Sequence, residues 1–106
     1  METLQERQER MMNMIEIGGL FVESYGCDMT GFIFYQVVGK TAKKVKVRRV
    51  NAAGNGRTLI AVKNDFYDDC VINKKVNVCA SVPMISLGYY NAYLSDWSKE
   101  YKTTER

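Results

Sequence analysis

The sequence predicts a mainly β domain with one N-terminal helix, an α+β arrangement in which a small antiparallel sheet curls, either into an SH3-like barrel or into a strongly curved open sheet. Three observations carry this. Helical periodicity is confined to the first sixteen residues. Five or six short apolar or alternating runs follow, rich in β-branched and aromatic residues. Glycine-bearing turns separate them, and only one proline occurs in 106 residues. The length is that of a single domain, expected to span 1–106 as a helix over 1–16, a β core over 19–94 and a polar, frayed tail over 95–106.

In the helix, Leu4, Met11, Met12 and Ile15 fall on one face. The methionines can pack on the chain's own core, the usual fate of such a face, or on a partner. Gly18-Gly19 ends the helix. Leu20–Ser24 is a short strand, and Tyr25–Gly31 a loop in which Asp28 and Thr30 suit an Asx-type turn. Phe32–Val38 is the most apolar run and the best central strand. Lys44–Val50 alternates, with Val45 and Val47 on one face and Lys44, Lys46 and Arg48 on the other. Residues 51–56 form a turn and 57–63 another strand. The segment 64–69 reads as an acidic, aromatic loop, and 75–80 as an alternating strand. A last short strand lies near Met84–Leu87 after Pro83.

Charge is unevenly spread. Residues 40–63 hold eight basic residues and no acid, whereas the segments on either side are net acidic. Lys40, Lys43, Lys44, Lys46, Arg48, Arg49 and Arg57 are therefore the candidate partner- or phosphate-binding residues. Side chains two apart on a strand stand about 6–7 Å from each other, a spacing comparable with that of successive phosphates. Tyr25, Phe34 and Tyr35 would add stacking surface to such a site if exposed. The competing reading is a solvated lysine row that protects a sheet edge. Tyr25, Tyr89, Tyr90, Tyr93 and Trp97 form a second group, suited either to an interface or to a core. Asp65, Asp68 and Asp69 lack EF-hand spacing and suit a solvated loop better than a cation site.

Several function classes are excluded or left without support. No histidine is present, which removes His-based triads and His metal sites. Cys27, Cys70 and Cys79 form no paired spacing, and all three are expected to be buried in a reducing compartment. No phosphate-loop, dinucleotide, nucleophile-elbow or zincin motif occurs, so neither an enzyme nor a cofactor or metal is expected. No apolar run approaches the roughly 18–20 residues of a membrane span. The Glu-Arg-Gln-Glu-Arg composition of the N-terminus leaves no secretory leader to expect, so the expected location is cytoplasmic.

Several stretches carry a family resemblance: Gly19–Thr30, Phe34-Tyr35-Gln36-Val37-Val38, Lys43–Arg48 and Tyr90-Asn91-Ala92-Tyr93. Together they resemble a family of small proteins of phages and other bacterial mobile elements. That family's pattern is a strand, Gly-Tyr-Asp-Gln-Thr, Phe-Tyr-Gln-Val-Val, then a basic β-branched strand. The resemblance spans roughly residues 18–97. Cys27 and Met29 replace the motif's tyrosine and glutamine, and the family's Trp-Asp pair is inverted as Asp96-Trp97. The resemblance implies a phage setting within a bacterial host. The function expected from that setting is inhibition of a host defence system, anti-CRISPR-like, by binding a defence protein or ribonucleoprotein. The alternative is an accessory protein that binds RNA or DNA through the basic strand, and a sponge for a signalling nucleotide ranks third.

Overall fold

A computed structural model describes residues 1–26, 31–54 and 58–102. The chain runs α1 (Leu4–Asn13), β1 (Leu20–Tyr25), β2 (Gly31–Lys40), β3 (Lys44–Gly54), β4 (Thr58–Lys75), β5 (Met84–Ser86), β6 (Asn91–Ser95) and β7 (Tyr101–Lys102). All seven strands belong to one antiparallel sheet in the order β5-β6-β1-β2-β3-β4-β7. The protein is mainly β with one N-terminal helix, and of the two expected forms it takes the open, curled one. Beyond β4, Asn77 bridges Met84 of β5, with Asn77 N–H to the Met84 carbonyl at 2.7 Å. That single bridge brings the two ends of the sheet together without a continuous ladder, so the barrel is not closed.

Helix α1 starts at a capping box. The Thr3 hydroxyl accepts from Glu6 N–H at 3.1 Å and the Glu6 carboxylate accepts from Thr3 N–H at 3.2 Å. The helix is shorter than the expected 1–16 because this cap fixes its start and a tightened turn, Ile15 N–H to Met12 O, ends it. Met11, Met12 and Ile15 are buried, so the methionine face packs on its own domain. Leu4, predicted on the same face, is instead 71% exposed. Arg7 pins the helix by donating to the carbonyls of Val78 and Ala80.

Alternation along β1 and β2 feeds two apolar clusters, one on each side of the sheet. Phe21, Tyr35 and Val37 join Val45, Val47, Val76, Val78, Ile85 and Ala92 around the helix residues. Leu20, Val22 and Phe34 join Val50, Ala61 and Tyr101 on the other side. Both faces of the central strands are thus covered, which is why Phe32–Val38 reads as nearly continuous apolar sequence. Phe21 and Phe34 are fully buried; each contributes on the order of 1.5–3 kcal/mol from transfer out of water.

Five expectations need correction. Residues 51–54, expected in a turn, are strand: β3 runs on to Gly54, with Ala52, Ala53 and Gly54 opposite Ala61, Ile60 and Leu59. The acidic segment 64–69 is not a loop but part of β4, where the register slips against β3 on both sides of Val50. Asn64 takes a left-handed φ of 67° there, and Gln36 holds it through both side-chain atoms, at 2.7 and 2.9 Å. Residues 75–80 form no strand of their own. Lys75 ends β4, Val76 N–H reaches the Lys43 carbonyl, and Asn77 makes the single bridge. The tail is not frayed up to Lys102. Tyr101 is 9% exposed and packs on Phe32 and Phe34 at ring separations of 5.0 and 5.3 Å, while β7 pairs with β4. Cys70 and Cys79 are exposed rather than buried, because both sit on the solvent side of irregular backbone anchored by Asp68 and Asn77. Cys27, Asp28 and Thr30 lie outside the described residues.

Candidate anion-binding end of the sheet

The basic block sorts itself by what each side chain does. Lys40, at the end of β2, is committed to the fold. Its ammonium donates to the carbonyls of Met12 and Ile15 at 3.1 and 2.7 Å, closing the C-terminus of α1. Arg48 is committed too. It donates to the Asp68 carbonyl at 2.7 Å, pairs with the Asp69 carboxylate at 3.2 Å and lies 4.0 Å over the Phe66 ring. Arg49 covers Tyr67 at 4.1 Å. The slipped segment of β4 therefore engages Arg48 with a carbonyl, an acid and a ring, and Arg49 with a ring. Arg57 lies outside the described residues.

Of the candidates, Lys43, Lys44 and Lys46 are left, all exposed at the β2–β3 end of the sheet, while Lys63, the eighth cation of the block, lies apart from them beside Gly18. Among the described residues none of them makes an ion pair. A fourth member, Lys75, lies outside the basic block in sequence. It stands directly across the ladder from Lys44, with Asn73 across from Lys46. Opposed like charges on neighbouring strands are mutually unfavourable, and an anion between them relieves the repulsion. The Lys46 stem lies along Gly39, where an added methyl would stand 3.5 Å from it. Lys75 could have been found from sequence only by pairing the alternation of β3 with the run Val71, Asn73, Lys75, and the acidic slip upstream hides that register.

Tyr25, Tyr89 and Tyr90 of the predicted aromatic group lie around the far end of β1 and the β5–β6 turn. Tyr25 closes β1 opposite Gly31 and meets Tyr90 edge-on at 6.4 Å. Tyr89 is fully exposed in the turn before β6, and Tyr93 is half-exposed opposite Val22. Trp97 serves the fold, donating its indole N–H to the Gly18 carbonyl at 2.7 Å and packing on the second cluster. Phe34 and Tyr35, considered as stacking platforms, are both buried. The exposed rings Tyr89 and Tyr90 sit in the β5–β6 turn and Tyr25 at the end of β1, whereas the free lysines gather around the β2–β3 turn and the end of β4.

A buried polar group sits between these ends. Glu23 is 7% exposed beside Tyr35 and Arg49. Desolvation pushes its carboxyl above the ordinary range, and the Arg49 guanidinium partly opposes that. Tyr35 is raised by the same desolvation and by the charge of Glu23. Of the acid cluster, Asp68 accepts from Cys70 N–H and Asp69 pairs with Arg48. Among the described residues, no three cysteine, aspartate or glutamate side chains converge as a metal site would require. No described helix is long and apolar enough to cross a membrane.

No protein family matches the chain, and neither a curated protein nor a solved structure matches it.

Proposed function

We propose that this chain is a non-enzymatic binding protein of phage or mobile-element setting, acting in the cytoplasm of a bacterial host. It inhibits a host defence system by engaging a nuclease or its ribonucleoprotein complex. The observation that carries the reading is the end of the sheet where Lys43, Lys44, Lys46 and Lys75 gather without an acidic partner among the described residues. Such a cationic surface speeds encounter with an acidic or phosphate-bearing target and fixes its orientation. Lys40 and Arg48, bound internally, are not part of the working surface. The phage setting rests on the resemblance of the Gly19–Thr30, Phe34–Val38, Lys43–Arg48 and Tyr90–Tyr93 stretches.

Binding of bare nucleic acid is the second reading, because the same lysines suit phosphates. Single strands are held by stacking and charge together; among the described residues none of the four lysines lies over an aromatic ring, which counts against this reading for single strands.

The test is cleavage by a purified defence nuclease complex, with and without the protein, beside a Lys44→Glu/Lys46→Glu variant. The expected result is inhibition by the natural chain that the variant loses. Undiminished inhibition by the variant would remove the lysine end from the mechanism. Salt-sensitive binding to bare RNA or DNA at physiological ionic strength, without inhibition, would establish the second reading.

A further inference from the structure

A groove of about 480 Å³ opens beside the lysine end, between α1 and the segment that follows β4. Its size falls in the range of clefts that take small ligands or a few side chains, roughly 300–1,000 Å³. Leu4 supplies exposed apolar lining over a floor of the nearly buried Val76 and Val78, Gln8, Asn77 and Ser86 add polar lining, and Lys43, Lys75 and Cys79 complete it. Among the described residues no carboxylate lines it. Leu4 is the departure from the expected packing of α1. It sits in the first helical turn, carries no cap and no core contact, and leaves most of an aliphatic side chain in water. Two lysines beside an uncovered leucine ask for a ligand that carries both carboxylates and aliphatic side chains.

We infer that this groove docks an acidic, aliphatic peptide segment of the partner protein, with leucine-like side chains beside Leu4 and Val78 and carboxylates on Lys43 and Lys75. The inference rests on the functional reading above and sharpens it, since it names the element that the lysine end recognises. Peptide is favoured over nucleic acid by the lining. It offers no aromatic ring for a base to stack on, and phosphates alone would leave Leu4 uncovered. The salt bridges orient the segment, and burial of Leu4 supplies the affinity that exposed ion pairs lack.

The probes are three peptides of equal length, one alternating Glu and Leu, one alternating Glu and Ser, and one alternating Lys and Leu. Binding is read by anisotropy and by mass-resolved alkylation of Cys79, with exposed Cys70 on β4 as the internal reference. The expected result is that Glu-Leu binds at least tenfold tighter than Glu-Ser and that Lys-Leu does not bind. Bound Glu-Leu should slow alkylation of Cys79 severalfold and leave Cys70 unchanged. Leu4→Asp, at a first-turn position that tolerates an acid, should erase the tenfold preference without unfolding the chain. Equal binding of Glu-Leu and Glu-Ser, with Cys79 unprotected, would overturn the groove and leave the cationic end standing. Failure of both acidic peptides to bind would overturn both. A dimer of the protein alone that Leu4→Asp dissociates would assign the groove to a second copy and overturn the partner segment.

Discussion

Replacing Lys40 with methionine separates a structural cation from a functional one. The substitution keeps most of the aliphatic stem and removes only the ammonium that holds the Met12 and Ile15 carbonyls at 3.1 and 2.7 Å. A hydrogen bond to a charged group is worth about 1.5–3 kcal/mol when protected, and a cation at a helix C-terminus about 0.3–1 kcal/mol. Lys40 is exposed, so water replaces part of both contributions. The net cost should be about 1.5–2 kcal/mol, which for a domain of this size lowers Tm by roughly 6–8 °C. Thermal and urea unfolding of Lys40→Met beside Lys44→Met would measure it. Lys44 has no such internal bond, so its variant should unfold with the natural protein while losing affinity for an anionic probe. Equal stabilities for the two variants, with anion binding lost in Lys40→Met, would show that Lys40 belongs to the ligand surface and that its bonds to α1 are dispensable.

Two further outcomes follow from buried groups. Glu23→Gln should raise stability at pH 7, because burial lifts the native carboxyl above its ordinary value of 4.5 and ionisation opposes folding. The protonated carboxyl favours the native state fully below that value, and this contribution is lost as pH rises through the raised native pKa. The gap between variant and natural chain should therefore close on acidification toward pH 4 and open above it, as read from Tm against pH; a gap that widens on acidification would refute the assignment. Tyr101→Ala removes a ring packed on Phe32 and Phe34 and a hydroxyl that meets Ser95, and should cost about 3–4 kcal/mol in urea unfolding. A loss below about 1 kcal/mol would mean that the tail is dispensable to the second cluster.

Much of the fold was legible because local pattern and burial agree. The helical face of Met11, Met12 and Ile15, the continuous apolar run of β2 and the alternation of Val45 and Val47 each state which side is buried. The β4 segment misled for a physical reason. Asp65, Asp68 and Asp69 have the composition of a loop, yet the backbone between them is held in the sheet by contacts from other strands, Gln36 on Asn64 and Arg48 on the Asp68 carbonyl. The tail misled similarly, since its one aromatic anchor, Tyr101, sits among polar residues and gains its burial only from Phe32 and Phe34 on β2.

The candidate site divides along the same line. The sequence by itself determined that positive charge concentrates in residues 40–63 and that valines and lysines of β3 face opposite ways, because composition and a period of two are local properties. Only the tertiary structure decided which cations remain free. Lys40 is taken by helix carbonyls, Arg48 by an acid twenty-one residues away, and Lys75 is brought opposite Lys44 by a register that an irregular β4 conceals. Long-range pairing assigns partners to charges, and no local pattern contains that information.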